Sequence, residues 1–203
     1  MSLVVLLGGA RAGKSAVAER MALAHEGTVI VAVAGSEHDD EMRRRIQKHR
    51  DERPATFGTL EIADAENWLS GVPADALLVV DCLTTLVGRI LGRVWMESGG
   101  DEAEATGVIG EELELESTLR VESLTLALAQ RRARTIVVTN EVGEGVVPAT
   151  PMGRLFRDLL GAANRRLVGE ADGAWLIVAG RCVDLAHLPK TPKWPNTNKR
   201  RNV

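Results

Sequence analysis

Five short runs along this chain are almost continuously apolar. They are Leu3-Val4-Val5-Leu6-Leu7, Thr28-Val29-Ile30-Val31-Ala32-Val33-Ala34, Ala76-Leu77-Leu78-Val79-Val80-Asp81, Thr135-Ile136-Val137-Val138-Thr139 and Ala174-Trp175-Leu176-Ile177-Val178-Ala179. None alternates apolar with polar, which is the pattern of parallel strands covered on both faces. The segments between them have helical composition and predict helices over 15–25, 39–52, 83–95, 108–132 and 152–169. Strands alternating with helices predict an α/β fold, a mostly parallel sheet flanked by helices. Beyond the fifth run, Gly180-Arg181 is suited to turn the chain into Cys182-Val183-Asp184-Leu185, an antiparallel edge strand. In the helix over 108–132, Val108, Leu115, Leu119, Leu124 and Leu128 recur roughly at helical spacing, while Glu111, Glu112, Glu114 and Glu116 mark a solvated face.

No internal repeat is visible. Residues 96–107 read as a mobile acidic loop, and the Pro-rich, basic stretch within 188–203 as a disordered tail behind a single domain over 1–187. A length of 203 residues is enough for one domain with a sizeable core. The net charge of −3, with 3% aromatics and no tyrosine, argues against nucleic acid as a partner, because such surfaces are usually basic or offer stacking rings. The two cysteines, Cys82 and Cys182, stand far apart and read as reduced, buried thiols of a cytoplasmic protein. No basic leader precedes the first apolar run, and no apolar stretch approaches the roughly 20 residues needed to span a bilayer.

Chemistry enters directly after the first strand. Gly8-Gly9-Ala10-Arg11-Ala12-Gly13-Lys14-Ser15 is a complete Gly-x4-Gly-Lys-Ser loop between a strand and a helix, the context in which that motif binds nucleotide phosphates. Its glycines let the backbone curl with N–H groups inward, Lys14 reaches the β- and γ-phosphates, and the Ser15 hydroxyl suits magnesium. The third strand ends in Asp81, where a carboxylate at the carboxyl edge of a parallel sheet would hold the same metal. Met42, Arg45, Ile46, His49 and Arg53 form a second cluster on the helix predicted over 39–52 and just beyond it. Arg45, His49 and Arg53 share one side, and guanidinium groups beside an imidazole both hold phosphate oxygens and keep the ring neutral. Composition alone favours a solvated charged helix there, with an incidental histidine. A third element, Thr139-Asn140-Glu141-Val142-Gly143-Glu144-Gly145-Val146-Val147-Pro148, follows the fourth strand and either lines the ligand crevice or is a plain connection. His25, His38 and His187 read as surface residues.

Taken together, these segments resemble the bifunctional adenosylcobinamide kinase/adenosylcobinamide-phosphate guanylyltransferases of cobalamin biosynthesis, over roughly residues 3–185. The likeness rests on residues 8–19; on Asp39-Asp40-Glu41-Met42, Arg45-Ile46 and His49-Arg50-Asp51-Glu52-Arg53-Pro54; on Asp81-Cys82-Leu83-Thr84-Thr85; and on residues 139–148. It reverses the compositional reading of His49. The resemblance implies a P-loop, RecA-like sheet, a homotrimer, and two reactions. ATP or GTP would phosphorylate the aminopropanol hydroxyl of adenosylcobinamide. GTP would then give GMP to that phosphate, yielding adenosylcobinamide-GDP and pyrophosphate through a GMP-histidine at His49. It further implies nucleotide contacts at Gly8, Gly9, Ala10, Arg11, Ala12, Gly13, Lys14, Ser15, Ala34, Gly35, Ser36, Arg50, Asp51, Glu52, Arg53, Glu61 and Asp81, with Mg2+ on Ser15 and Asp81. Two departures are visible: Lys48-His49 stands where some members have two adjacent histidines, and Asp81 where some have Glu. A small-molecule kinase without guanylyl transfer, or a nucleotide switch, are the rival readings. The Asn-Lys-x-Asp base-reading motif common in such switches is missing from this chain.

Overall fold

In a computed structural model, residues 2–34, 54–99 and 109–192 are described. Seven strands form one sheet: β1 (Leu3–Leu7), β2 (Val29–Val33), β3 (Gly58–Glu61), β4 (Leu77–Asp81), β5 (Thr135–Val138), β6 (Gly173–Val178) and β7 (Arg181–Asp184). Their order is β3-β2-β4-β5-β1-β6-β7, and every pairing is parallel except the β6–β7 hairpin. The helices are α1 (Lys14–Leu23), α2 (Leu83–Glu97), α3 (Glu111–Gln130) and α4 (Pro151–Glu170), with a short 3-10 turn at Trp68–Gly71.

The pleat divides the apolar strand residues between two cores. Val5, Leu78, Val80 and Val137 pack with α2, α3 and α4, including Leu86, Ile90, Leu124, Leu160 and Leu167. Leu6, Val31, Val79, Ile136, Val138 and Ile177 face the other way and pack with Val17, Ala18 and Ala22 of α1. Burial on both faces explains why these strands lack alternation. At α4, Pro151 occupies the first turn and the Thr150 hydroxyl accepts from the Gly153 N–H at 3.1 Å, a side-chain cap that fixes where the helix begins.

Several sequence expectations need correction. The edge strand β3 was not among the predicted strands: Gly58-Thr59-Leu60-Glu61 is short, half polar and paired on one side only. Leu115 and Leu119 do not face the core but are 61% and 51% exposed; the buried side of α3 runs through Leu113, Ser117, Val121, Leu124, Thr125 and Leu128. Helix α2 continues through Met96 and Glu97, into the expected loop. Cys182 is exposed and Cys82 half-buried, both as free thiols. His25 is half-buried, and its Nδ1 is buried without a partner among the described residues. The helix expected over 39–52, His38, most of the 96–107 loop and residues 193–203 lie outside the described residues. No helix among the described residues is long and apolar enough to cross a membrane.

Candidate active site

The sheet register aligns the carboxyl edges of five strands. Glu61 pairs with Val33, Val33 with Asp81, Asp81 with Val138, and Val138 with Leu6. The chain leaves each strand just past this line, so the glycine loop, Ala34, Glu61, Asp81 and the 139–141 segment all lie along the carboxyl edge of the sheet. This is where ligands of parallel α/β sheets bind.

Strand β1 gives way to residues 8–13, which wrap back into α1. Gly8 has φ +148°, and a Cβ there would overlap the Ile177 carbonyl oxygen on β6. Gly13 caps α1 with φ 98°. Both positions therefore favour glycine for local reasons. The far side of the loop is buttressed by the β6–β7 turn, where the Gly180 N–H donates to the Ala12 carbonyl at 2.9 Å. Lys14, 8% exposed, donates through Nζ to the carbonyls of Gly8 (2.9 Å) and Gly9 (2.7 Å). Burial holds its amine below the ordinary lysine value, while nearby Cys82 and Asp81 pull it upward. The ammonium thus sits at the mouth of the loop, beside the end of β4.

Ser15 and Asp81 line one small cavity of about 20 Å3 together with Glu19, Val31, Phe57 and Val79. A hydroxyl and a carboxylate are hard oxygen donors, and Mg2+ usually takes one or two such protein ligands alongside substrate phosphates. The donor set therefore fits that ion.

Behind these residues, the end of β5 is tied down by side chains. Thr139 N–H continues the ladder to Leu6 C=O at 2.9 Å, and Glu141 N–H reaches Gly8 C=O at 3.3 Å. Strand β4 has by then turned into α2, so the Asn140 N–H finds the Thr84 hydroxyl oxygen instead, at 2.8 Å. Asn164 of α4, 3% exposed, accepts from the Thr139 hydroxyl (2.7 Å) and donates through Nδ2 to the Asn140 carbonyl (2.9 Å). Sequence reasoning missed Thr84 as an anchor, and Asn164 and Phe57 altogether. Nothing local marks them, since Thr84 and Asn164 are 56 and 24 residues from Asn140. At the outer edge, the Arg89 guanidinium of α2 donates to the carbonyls of Ile62 and Ala63 and fixes the chain just after Glu61.

Of the residues named from sequence, Gly8–Ser15, Ala34, Glu61 and Asp81 are placed along this edge, and Ser15 and Asp81 share one cavity. Gly35, Ser36, His49, Arg50, Asp51, Glu52 and Arg53 lie outside the described residues.

A family model described as "Cobinamide kinase / cobinamide phosphate guanyltransferase" matches residues 4–185. The chain belongs to this family. The bifunctional adenosylcobalamin biosynthesis protein CobU of Salmonella typhimurium is 36% identical over 182 residues, covering 88% of this chain and 96% of that protein. CobU of Escherichia coli K12 is 33% identical, with 88% and 96% covered. CobP of Pseudomonas aeruginosa, also named as bifunctional in adenosylcobalamin biosynthesis, is 35% identical, with 91% and 98% covered. The cobinamide kinase/guanyltransferase family joins two transfers to one substrate, and this member is a bifunctional cobinamide kinase and cobinamide phosphate guanylyltransferase of cobalamin biosynthesis.

Proposed function

We propose that the two transfers share one triphosphate site along residues 8–15, and that His49 carries GMP between them. The observation that supports this most is the convergence of Lys14, Ser15 and Asp81 at the head of α1. The loop amides and the dipole of α1 suit a triphosphate, with Lys14 at its β- and γ-phosphates. Ser15 and Asp81 would hold Mg2+, which when bound offsets charge on the phosphates. Ala34 and Glu61, with Gly35, Ser36 and Arg50–Arg53, are proposed as the remaining nucleotide contacts.

In the kinase step, ATP or GTP gives its γ-phosphoryl to the aminopropanol hydroxyl of adenosylcobinamide. In the second, a His49 ring nitrogen bonds to the α-phosphorus of GTP, and the bond to the α–β bridging oxygen breaks as pyrophosphate leaves. A phosphate oxygen of adenosylcobinamide phosphate then displaces the imidazole and yields adenosylcobinamide-GDP. Covalent catalysis of this kind divides one difficult displacement into two easier ones. Arg50 and Arg53 would hold the charged intermediate.

We further propose a cytoplasmic homotrimer built from one domain over 1–187, with 188–203 as a tail. Supporting the assembly, Leu115, Leu119 and Leu126 lie along one side of α3, at 61%, 51% and 40% exposure, a stripe a monomer would leave in water. The test of the shared histidine route is incubation with α-labelled GTP. Acid-labile, alkali-stable label on the protein is expected, and its persistence in His49→Ala would remove His49 from the mechanism.

A further inference from the structure

We propose that the Asn140 carboxamide donates to the γ-phosphoryl oxygens in the kinase step, and that Asn164 is the positioning residue that holds it there. This rests on the reading that the triphosphate lies along residues 8–15.

Strand alternation fixes the face. Ile136 and Val138 of β5 pack toward α1, whereas Val137 packs toward α2–α4, and Thr139 follows Val137 by reaching Asn164 of α4. Asn140 therefore emerges on the α1 side. Val79 and Asp81 of the adjoining β4 face that same side, in the cavity lined by Ser15 of α1. Strand β5 lies between β1, which feeds the glycine loop, and β4, which ends in Asp81. Asn140 thus stands between the two halves of the proposed site, and Gly8 C=O, the acceptor of its neighbour Glu141 N–H, also accepts from Lys14 Nζ. That proximity assigns the carboxamide to the same end of the triphosphate as Lys14.

Both backbone groups of Asn140 are committed, the N–H to Thr84 and the C=O to Asn164. Among the described residues, its side-chain amide has no hydrogen-bond partner. A half-buried carboxamide on a backbone fixed from both sides is a preorganised donor, the arrangement that stabilises developing charge without reorganisation. In the step concerned, the substrate hydroxyl oxygen bonds to the γ-phosphorus. The bond from that phosphorus to the β–γ bridging oxygen breaks, its electron pair stays with the nucleoside diphosphate, and the hydroxyl proton passes to water. Asn140 gives and takes no proton; it donates a hydrogen bond to an equatorial oxygen. Guanylyl transfer breaks the bond at the α-phosphorus instead, so its chemistry lies away from this group. Asn164 spends both ends of its own amide on the 139–140 segment and acts only through it.

The experiment measures both activities separately in the full-length protein, with adenosylcobinamide plus ATP and with adenosylcobinamide phosphate plus GTP. Asn140→Ala is expected to lower the kinase kcat at least tenfold, with nucleotide KM and guanylyl transfer each within about threefold of the parent. Asn164→Ala should lower the kinase kcat about tenfold in the parent but less than about twofold in the Asn140→Ala background. Should Asn164→Ala fail to fold, Thr84→Val removes the other anchor and completes the same cycle. A kinase kcat within twofold of the parent in Asn140→Ala overturns the proposal, as does equal loss of both activities. A full further loss on adding the anchor variant to Asn140→Ala overturns the positioning role. Lys14→Ala separates this from the underlying reading: if it keeps both activities, the shared site fails, and if it loses both while Asn140→Ala keeps the kinase, only the Asn140 assignment fails.

Discussion

Gly8→Ala is a methyl group placed where the sheet has no room for it. The residue has φ +148°, and its added Cβ would overlap the Ile177 carbonyl oxygen and stand 3.3 Å from the carbonyl carbon. That neighbour is backbone of β6, held in register with β1 through Leu6–Trp175 and Leu7–Leu176, so it cannot step aside without breaking the ladder. Unfavourable backbone conformation costs about 1–3 kcal/mol and overpacking about 1–3 more, so the sum is about 2–6 kcal/mol. For a domain of this size that lowers Tm by about 5–20 °C. The matched control is Gly9→Ala, where a Cβ meets nothing within 4 Å and φ is not positive. Thermal and urea unfolding of both variants, with nucleotide titration, form the assay. Gly9→Ala should stay within about 0.5 kcal/mol of the parent. Gly8→Ala should lose stability and also nucleotide affinity, because Gly8 C=O anchors both Lys14 and the Glu141 N–H. Equal stability of the two variants would refute the close-approach reasoning.

Other expectations follow from separate parts of the molecule. Ala179 and Gly180 are the two central residues of the β6–β7 turn, with φ 48° and 75°, so Ala179→Asn should raise stability by about 0.5–1 kcal/mol in urea unfolding, since Asn tolerates that conformation better. Hydrogen bonds from Arg120 and Arg93 hold the Glu97 carboxyl below its ordinary value of 4.5, so its stabilisation is present above that pH and is lost as pH falls through the depressed value. Glu97→Gln should therefore flatten the drop of Tm on acidification below about pH 4.5, and parallel curves for parent and variant would contradict this. Leu119→Glu charges the exposed stripe of α3 and, if that stripe builds the proposed trimer, should give smaller species in sedimentation velocity. A variant that sediments as the parent does would remove that face from the assembly.

How legible the fold is in the sequence depends on where each residue's partners lie. Strands β1, β2, β4, β5 and β6 announce themselves because both faces are buried, which leaves a continuous apolar run. β3 does not, because Thr59 and Glu61 are exposed on an edge. Helix α3 misleads: Ser117 and Thr125 sit on its buried side and Leu115 and Leu119 on its exposed side, so hydrophobicity alone assigns the wrong residues to the core. α4 packs against α3, and the small residues Ala162, Ala163 and Gly169 leave an open groove between them. The glycine loop and Asp81 are readable from contiguous residues, since their chemistry is local. Thr84 and Asn164 act on Asn140 across the fold, and no spacing in the chain predicts contacts made by three separate elements.

The most direct measurement is the turnover of Lys14→Ala in both reactions, side by side, on protein whose Tm stays within a few degrees of the parent. A single triphosphate site predicts that cobinamide phosphorylation and guanylyl transfer fall together, each by about 100-fold or more. Retention of either rate within about threefold of the parent, while the other collapses, would contradict it and require a second nucleotide site.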